Sequence, residues 1–210
     1  MTSISPAVAV RGWLALASAD WVRNRVGFPL SGLDVGGGFP AEYGHDPNSR
    51  KPEMPSIGQI MSRLRGDLKE YQFDDIPLVA EPGRVIVARC LSLIVRVLLR
   101  KGKRLYINDG IWASLSDSWT GKITLPARFI PDPAIRSRNG SEKNIVPFRV
   151  CGATCDSVDI LSRPFWLPET VDTGDWIEIG HIGAYSLSLR TRFNGFYPDT
   201  FVEVTRSFDE

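Results

Sequence analysis

The chain has 210 residues, 43% of them hydrophobic and 23% charged, with 25 Lys and Arg against 24 Asp and Glu. That length fits one domain, or a small domain with part of a second, and the composition is that of a globular chain with a sizeable core. A net charge of +1 excludes bulk electrostatic capture of nucleic acid or of an anionic membrane, and the longest apolar run, residues 91–99, is broken by Ser92 and Arg96, far short of the ~20 residues of a membrane span.

Residues 1–10 carry no basic stretch ahead of an apolar one, so a secretory signal is not expected. Cys90, Cys151 and Cys155 are an odd number in a long chain and do not read as a disulfide framework. With only His45 and His181 beside them, they do not make a zinc site either. A reduced, cytoplasmic compartment is the expectation.

Trp13, Leu14, Leu16, Ala17, Trp21 and Val22 recur at helical spacing, which predicts a helix over residues 10–26 that stops at Gly27. Leu33-Asp34-Val35 reads as a short strand running into Gly36-Gly37-Gly38. A second amphipathic helix is predicted over residues 57–71, with Ile57, Ile60, Met61, Leu64, Leu68 and Tyr71 on one face. Residues 77–80 read as another strand, ending at Glu81-Pro82-Gly83-Arg84. This α–β–α–β order is the rhythm of parallel α/β structure.

The pattern changes at residue 85. Val85, Val87, Leu91, Leu93, Val95 and Val97 alternate as in a strand, and residues 105–108, 146–150, 176–179 and 201–205 read as further strands. Residues 130–144, rich in Pro, Arg and Ser, read as an exposed loop. The expected architecture is α/β over residues 1–87 and an antiparallel β-domain, sandwich or barrel, over residues 88–210.

Two loops have the chemistry to hold an anion. Three glycines directly after a strand let successive backbone N–H groups converge on one concavity. The plainer reading of Gly36–Gly38 is a flexible turn. The loop at Glu81–Arg84 comes one strand–helix–strand step later, so Glu81 would stand at a strand tip. There it could pair with a protonated heterocyclic nitrogen, as the electron sink of pyridoxal phosphate requires, or cap a turn as a structural pair with Arg84.

Together, Leu33–Pro40 and Glu81–Arg84 resemble the "LDxGGGFP" and "EPGR" segments of the fold-type-III pyridoxal-phosphate-dependent decarboxylases that act on ornithine, lysine or diaminopimelate. Asn108-Asp109-Gly110, residues 152–159 (GATCDSVD), Gly174-Asp175-Trp176, Gly183-Ala184-Tyr185 and Phe193-Asn194-Gly195-Phe196 resemble further segments of the same family, in the same order. The resemblance implies the C-terminal part of an alanine-racemase-like (β/α)8 barrel followed by the β-domain. It implies that Gly36, Gly37, Gly38, Gly83, Arg84 and Tyr185 bind the cofactor phosphate and that Glu81 faces the pyridine nitrogen. Cys155 would return a proton to the decarboxylated carbon, and Asp156 would meet the distal amine of the substrate. In the family both are lent to the other subunit of a head-to-tail homodimer. The bland alternatives are a small hydrophobe for Cys155, a turn cap for Asp156 and core packing for Tyr185. An aspartate after the cysteine suits ornithine or lysine rather than diaminopimelate, because one carboxylate meets one ammonium. The family's second substrate acid does not align cleanly, and Asp117 is the candidate.

The family's Schiff-base lysine belongs well ahead of the glycine triplet, yet the first lysine here is Lys51. The expectation is therefore a chain inactive alone, carrying about two of a barrel's eight strands. The alternatives are a half-enzyme completed by a separate N-terminal barrel chain, and a non-catalytic interaction protein that reuses the decarboxylase dimer surface.

Overall fold

The structure is a computed structural model that describes residues 16, 18–25, 27, 31–44, 54–135, 140–206, 208 and 209. It divides into two compact units, Met1–Glu42 with Arg50–Ile86, and Tyr43–Ser49 with Val87–Glu210.

In the first unit, helix α1 is described over residues 18–25, and the rest of the helix expected over residues 10–26 lies largely outside the described residues. Strand β1 (Leu33–Asp34) is followed by helix α2 (Ile57–Glu70) and strand β2 (Leu78–Val79). Helix α2 starts where Ser56 and Gln59 cap each other's backbone N–H groups, which satisfies two donors the first turn leaves open. Its apolar face supplies Leu64 and Leu68 to a small core with Leu16 and Phe73. Arg23 reaches from α1 to the carbonyls of Gln72 at 2.8 Å and Tyr71 at 3.0 Å and lies over the Phe73 ring, so the turn after α2 is tied to α1. Strands β1 and β2 pair in parallel, Leu33 opposite Leu78 and Asp34 opposite Val79.

The strand expected from residue 85 starts later. Residues Arg84–Val87 form a short helix, α3, and Ala88–Cys90 a 3-10 turn. The Ile86 N–H donates to the Gly83 carbonyl at 3.0 Å, and this turn overrides the β-branched composition, which in a short apolar run does not decide between helix and strand.

The second unit is a six-stranded sheet of β3 (Leu93–Lys101), β4 (Arg104–Ile107), β5 (Ala127–Ile130), β6 (Ile145–Cys151), β7 (Phe165–Pro168) and β8 (Trp176–Ile179), in the order β5-β8-β3-β4-β6-β7. The edge strands β5 and β7 approach each other, so the sheet curls into a nearly closed barrel. Val95, Val97, Leu105, Ile107, Phe148, Val150, Leu167, Ile177 and Ile179 fill it. Short helix α4 (Ser116–Gly121) lies in the connection from β4 to β5, and α5 (Ser186–Leu189) follows β8.

The sheet is mixed rather than antiparallel, because β4 and β6 pair in parallel. The chain leaves β4, crosses to the far edge to lay down β5 and returns, so β6 runs in β4's direction. Strands β5 and β7, four residues each with Arg or Pro, show too little alternation to be read from sequence. Residues 201–205 form no strand. Their alternation is real, but no ladder partner covers it, and Phe201, Val202 and Val204 stay exposed.

Candidate functional site

The first unit brings its two glycine loops together. Because β1 and β2 run in parallel, Gly36–Gly38 and Glu81–Arg84 emerge at the same end of neighbouring strands. The ladder continues past the strands: Val35 N–H donates to Val79 O, and Glu81 N–H to Gly36 O, each at 2.9 Å. A Cβ on Gly37 would lie 2.9 Å from the Glu81 carbonyl oxygen, so only glycine permits this approach. At Gly36, Gly38 and Gly83 a Cβ would meet nothing within 4 Å, which leaves the mouth of both loops open for an anion. Gly36 donates its own N–H to Asp34 Oδ1 at 2.8 Å, so that N–H is taken up in shaping the loop. Glu81 is exposed and Arg84 half-buried.

The second unit gathers a different set. Cys155 is exposed and adopts the left-handed conformation, φ 60°. Asp156 accepts from the Val158 N–H with Oδ1 and from the Trp112 indole N–H with Oδ2, both at 3.0 Å. Phe193 packs against Trp112 with ring centroids 5.4 Å apart, and Asn194 donates to the Thr154 carbonyl at 2.7 Å. Segments around residues 108–112, 152–159 and 193–194 therefore converge on one loop. Trp112, Asp159 and Asn194 carry contacts that sequence reading assigned to no role. Their only signal was membership of the recognised segments, or adjacency to one.

Beneath this loop lie two buried carboxylates. Asp109 Oδ1 accepts from Gly110 and Ser114 N–H groups at 2.6 and 2.9 Å, while Oδ2 is buried without a partner. Burial pushes the Asp109 carboxyl up from 3.8 to about 6, the charge of Asp159 adds to this, and the Gly110 and Ser114 contacts oppose it. Asp159 accepts from Ile111 N–H at 2.9 Å, from Thr154 N–H at 3.2 Å and from the Thr154 hydroxyl.

Other motif residues are architectural. Asp175, fully buried, accepts from the Asp132 N–H at 2.9 Å and the Asp172 N–H at 2.8 Å and so ties two turns to β8. Tyr185 stands in the second unit, half exposed, at the start of α5 with φ 65°. Asp117 lies in the first turn of α4. No group of three or more metal-ligating side chains occurs among the described residues, and no helix among them is long and apolar enough to cross a membrane.

Residues 18–183 match the sequence model of the pyridoxal-dependent decarboxylases, described as their C-terminal sheet domain. The chain belongs to that family. Ornithine decarboxylase of Cricetulus griseus is 32% identical to this chain over 205 residues, covering 87% of the chain and 41% of the relative. Antizyme inhibitor 2 of Xenopus laevis is 29% identical over 189 residues, 82% of the chain and 39% of that protein. The lysine/ornithine decarboxylase of Vibrio vulnificus, solved with putrescine, superposes with a TM-score of 0.62 at 27% identity, over 93% of this chain and 50% of that one. The chain thus spans about two fifths of the curated relatives' length and half of the solved decarboxylase.

Proposed function

We propose that these 210 residues form the C-terminal half of a pyridoxal-phosphate-dependent decarboxylase of basic amino acids, ornithine or lysine, with residues 1–87 belonging to a (β/α)8 barrel. The observation that carries this reading is the junction of the two glycine loops, where Glu81 N–H meets the Gly36 carbonyl at the end of a parallel strand pair. The open faces of Gly36, Gly38 and Gly83 fit a phosphate, and Gly37, Gly38, Gly83 and Arg84 would hold it. Glu81, exposed at the strand tip, would face the pyridine nitrogen and keep it protonated. When bound, pyridoxal phosphate supplies the electron sink for the pair left behind as carbon dioxide departs.

Asp156 would bind the distal ammonium of the substrate through its carboxylate, held in place by Trp112. Cys155, exposed beside it, would deliver a proton from its thiol to the substrate carbon. In this reading both act in a homodimer on the partner's substrate, as the resemblance implies. The lysine that carries the cofactor comes from outside these 210 residues, since no lysine precedes Lys51.

The test is carbon dioxide release from ornithine or lysine with added pyridoxal phosphate. The 210-residue chain alone should match the free-cofactor background. Mixing it with a barrel chain bearing the lysine should give turnover that Cys155→Ala abolishes. Turnover by the 210 residues alone would refute the need for an outside lysine.

The likeness to antizyme inhibitor 2 favours a second reading, an interaction protein that reuses the same sheet domain. Retention of Glu81, Cys155 and Asp156 supports the catalytic one. Absence of any pyridoxal phosphate binding, by absorbance titration, would favour the other.

A further inference from the structure

We propose that Asp159 is a positioning residue that sets Cys155 and Asp156 relative to each other. The inference rests on the decarboxylase reading only for the roles of that pair. Asp159 is 2% exposed, and its carboxylate lies between two glycines from different segments. A Cβ on Gly110 would fall 2.3 Å, and one on Gly152 2.2 Å, from an Asp159 carboxylate oxygen. Those distances are below any real contact, so glycine at both positions is what lets two backbones close on one carboxylate.

The bonds show what is being held. The Gly152 N–H donates to the Asp159 carbonyl at 2.9 Å, and the Asp159 N–H donates to the Asp156 carbonyl at 3.0 Å, which closes the loop of residues 152–159 on itself. One carboxylate oxygen takes the N–H and hydroxyl of Thr154, the residue before Cys155. The other takes the Ile111 N–H, and Ile111 precedes Trp112, whose indole holds Asp156. Asp159 therefore anchors both sides of the Trp112–Asp156 contact.

A turn cap alone would not need that reach, because Asp156 Oδ1 already caps the turn through Val158 N–H. A buried carboxylate is tolerated when its lone pairs are filled by fixed donors, and here those donors belong to the two segments that must meet. The left-handed backbone at Cys155, unfavourable for a side chain with a Cβ, is held from the Thr154 side by the carboxylate and from the Asp156 side by the Asp159 N–H.

The test reads the electrostatic surroundings of the Cys155 thiol in the 210-residue chain, with no cofactor or substrate present. Two methanethiosulfonates of similar size, one bearing trimethylammonium and one sulfonate, are reacted with the chain. Modification is followed residue by residue by mass spectrometry, with exposed Cys90 as internal reference. The carboxylate of the adjacent Asp156, held by Trp112, should favour the cationic reagent at Cys155 by on the order of tenfold over the ratio at Cys90. Asp156→Asn should abolish the preference. Asp159→Asn and Asp159→Ala should reduce it several-fold while Cys90 is unchanged, a shift that loss of stability alone does not produce. If Asp159→Ala does not fold, Thr154→Val carries the test with a smaller shift in the same direction.

An unchanged ratio at Cys155 in folded Asp159 variants, or in Thr154→Val, overturns the proposal. So does an unchanged ratio in Asp156→Asn, since no carboxylate would then stand at the thiol to be positioned. Absent decarboxylation in the reconstituted enzyme would sink the functional reading and leave this measurement intact.

Discussion

The indole N–H of Trp112 donates to Asp156 Oδ2 at 3.0 Å, across 44 residues of sequence and between two different loops of the sheet domain. The contact fixes the carboxylate assigned to the substrate's distal amine. Trp112→Phe keeps an aromatic ring beside Phe193 while deleting the donor together with one ring of the indole. A hydrogen bond to a charged, partly buried group is worth about 1.5–3 kcal/mol, and thermal unfolding of the variant should show a loss near the lower end. An unshifted melting temperature would mean that the contact does not form in solution.

Gly37 should tolerate nothing larger. Its substitution by alanine puts a methyl against the Glu81 carbonyl at 2.9 Å, so β1 and β2 must part at the phosphate mouth. Gly37→Ala should weaken pyridoxal phosphate binding by at least about tenfold, or ~1.4 kcal/mol. Fluorescence titration with the cofactor checks this, and equal affinity would show that the loops do not hold the phosphate.

Asp109 makes stability depend on pH. Its carboxyl is pushed up from 3.8 to about 6, with burial the largest cause. A raised carboxyl holds its proton better in the folded state, so its contribution is fully present below about pH 3.8 and is lost as pH rises through about 6. A shift of this size corresponds to roughly 3 kcal/mol. Asp109→Asn keeps an acceptor for Gly110 and Ser114 without a charge beside Asp159. It should be less sensitive to pH than wild type and more stable at pH 8, by urea denaturation. Parallel pH curves for the two proteins would rule this out.

Asp175→Ala should be among the costlier single changes. It strips the acceptor from the Asp132 and Asp172 N–H groups at a fully buried position. Leaving such donors unpaired costs about 1–3 kcal/mol each, read as a lower urea midpoint. A change of a few tenths would indicate that water replaces the carboxylate.

The legible parts of this molecule were those written locally. Helix α2 follows from apolar residues at helical spacing, and the pairing of the glycine loops follows from one strand–helix–strand step. Strand β8 was read to the residue. The illegible parts depend on distant partners. Residues 85–87 have strand composition but wind into helix after Gly83. Residues 201–205 alternate as a strand does and find nothing to pair with. The parallel pairing of β4 and β6 follows from the path of β5, itself too short to announce. Asp159 lay inside a recognised segment, yet its reach to Ile111 exists only once that pairing brings residues 48 positions apart together.

Strand β8 sits between β3 and β5, although it follows both in the chain, with Ile94 opposite Glu178 and Phe129 opposite Ile177. This imposes an order on biosynthesis. As the nascent chain leaves the ribosome, β3 and β5 emerge with the slot between them vacant, and Val95 and Val97 lack part of their cover until Trp176–Ile179 is translated. A message cut short before Trp176 would yield a product with that slot permanently open, a substrate for chaperones and proteases rather than a smaller working domain.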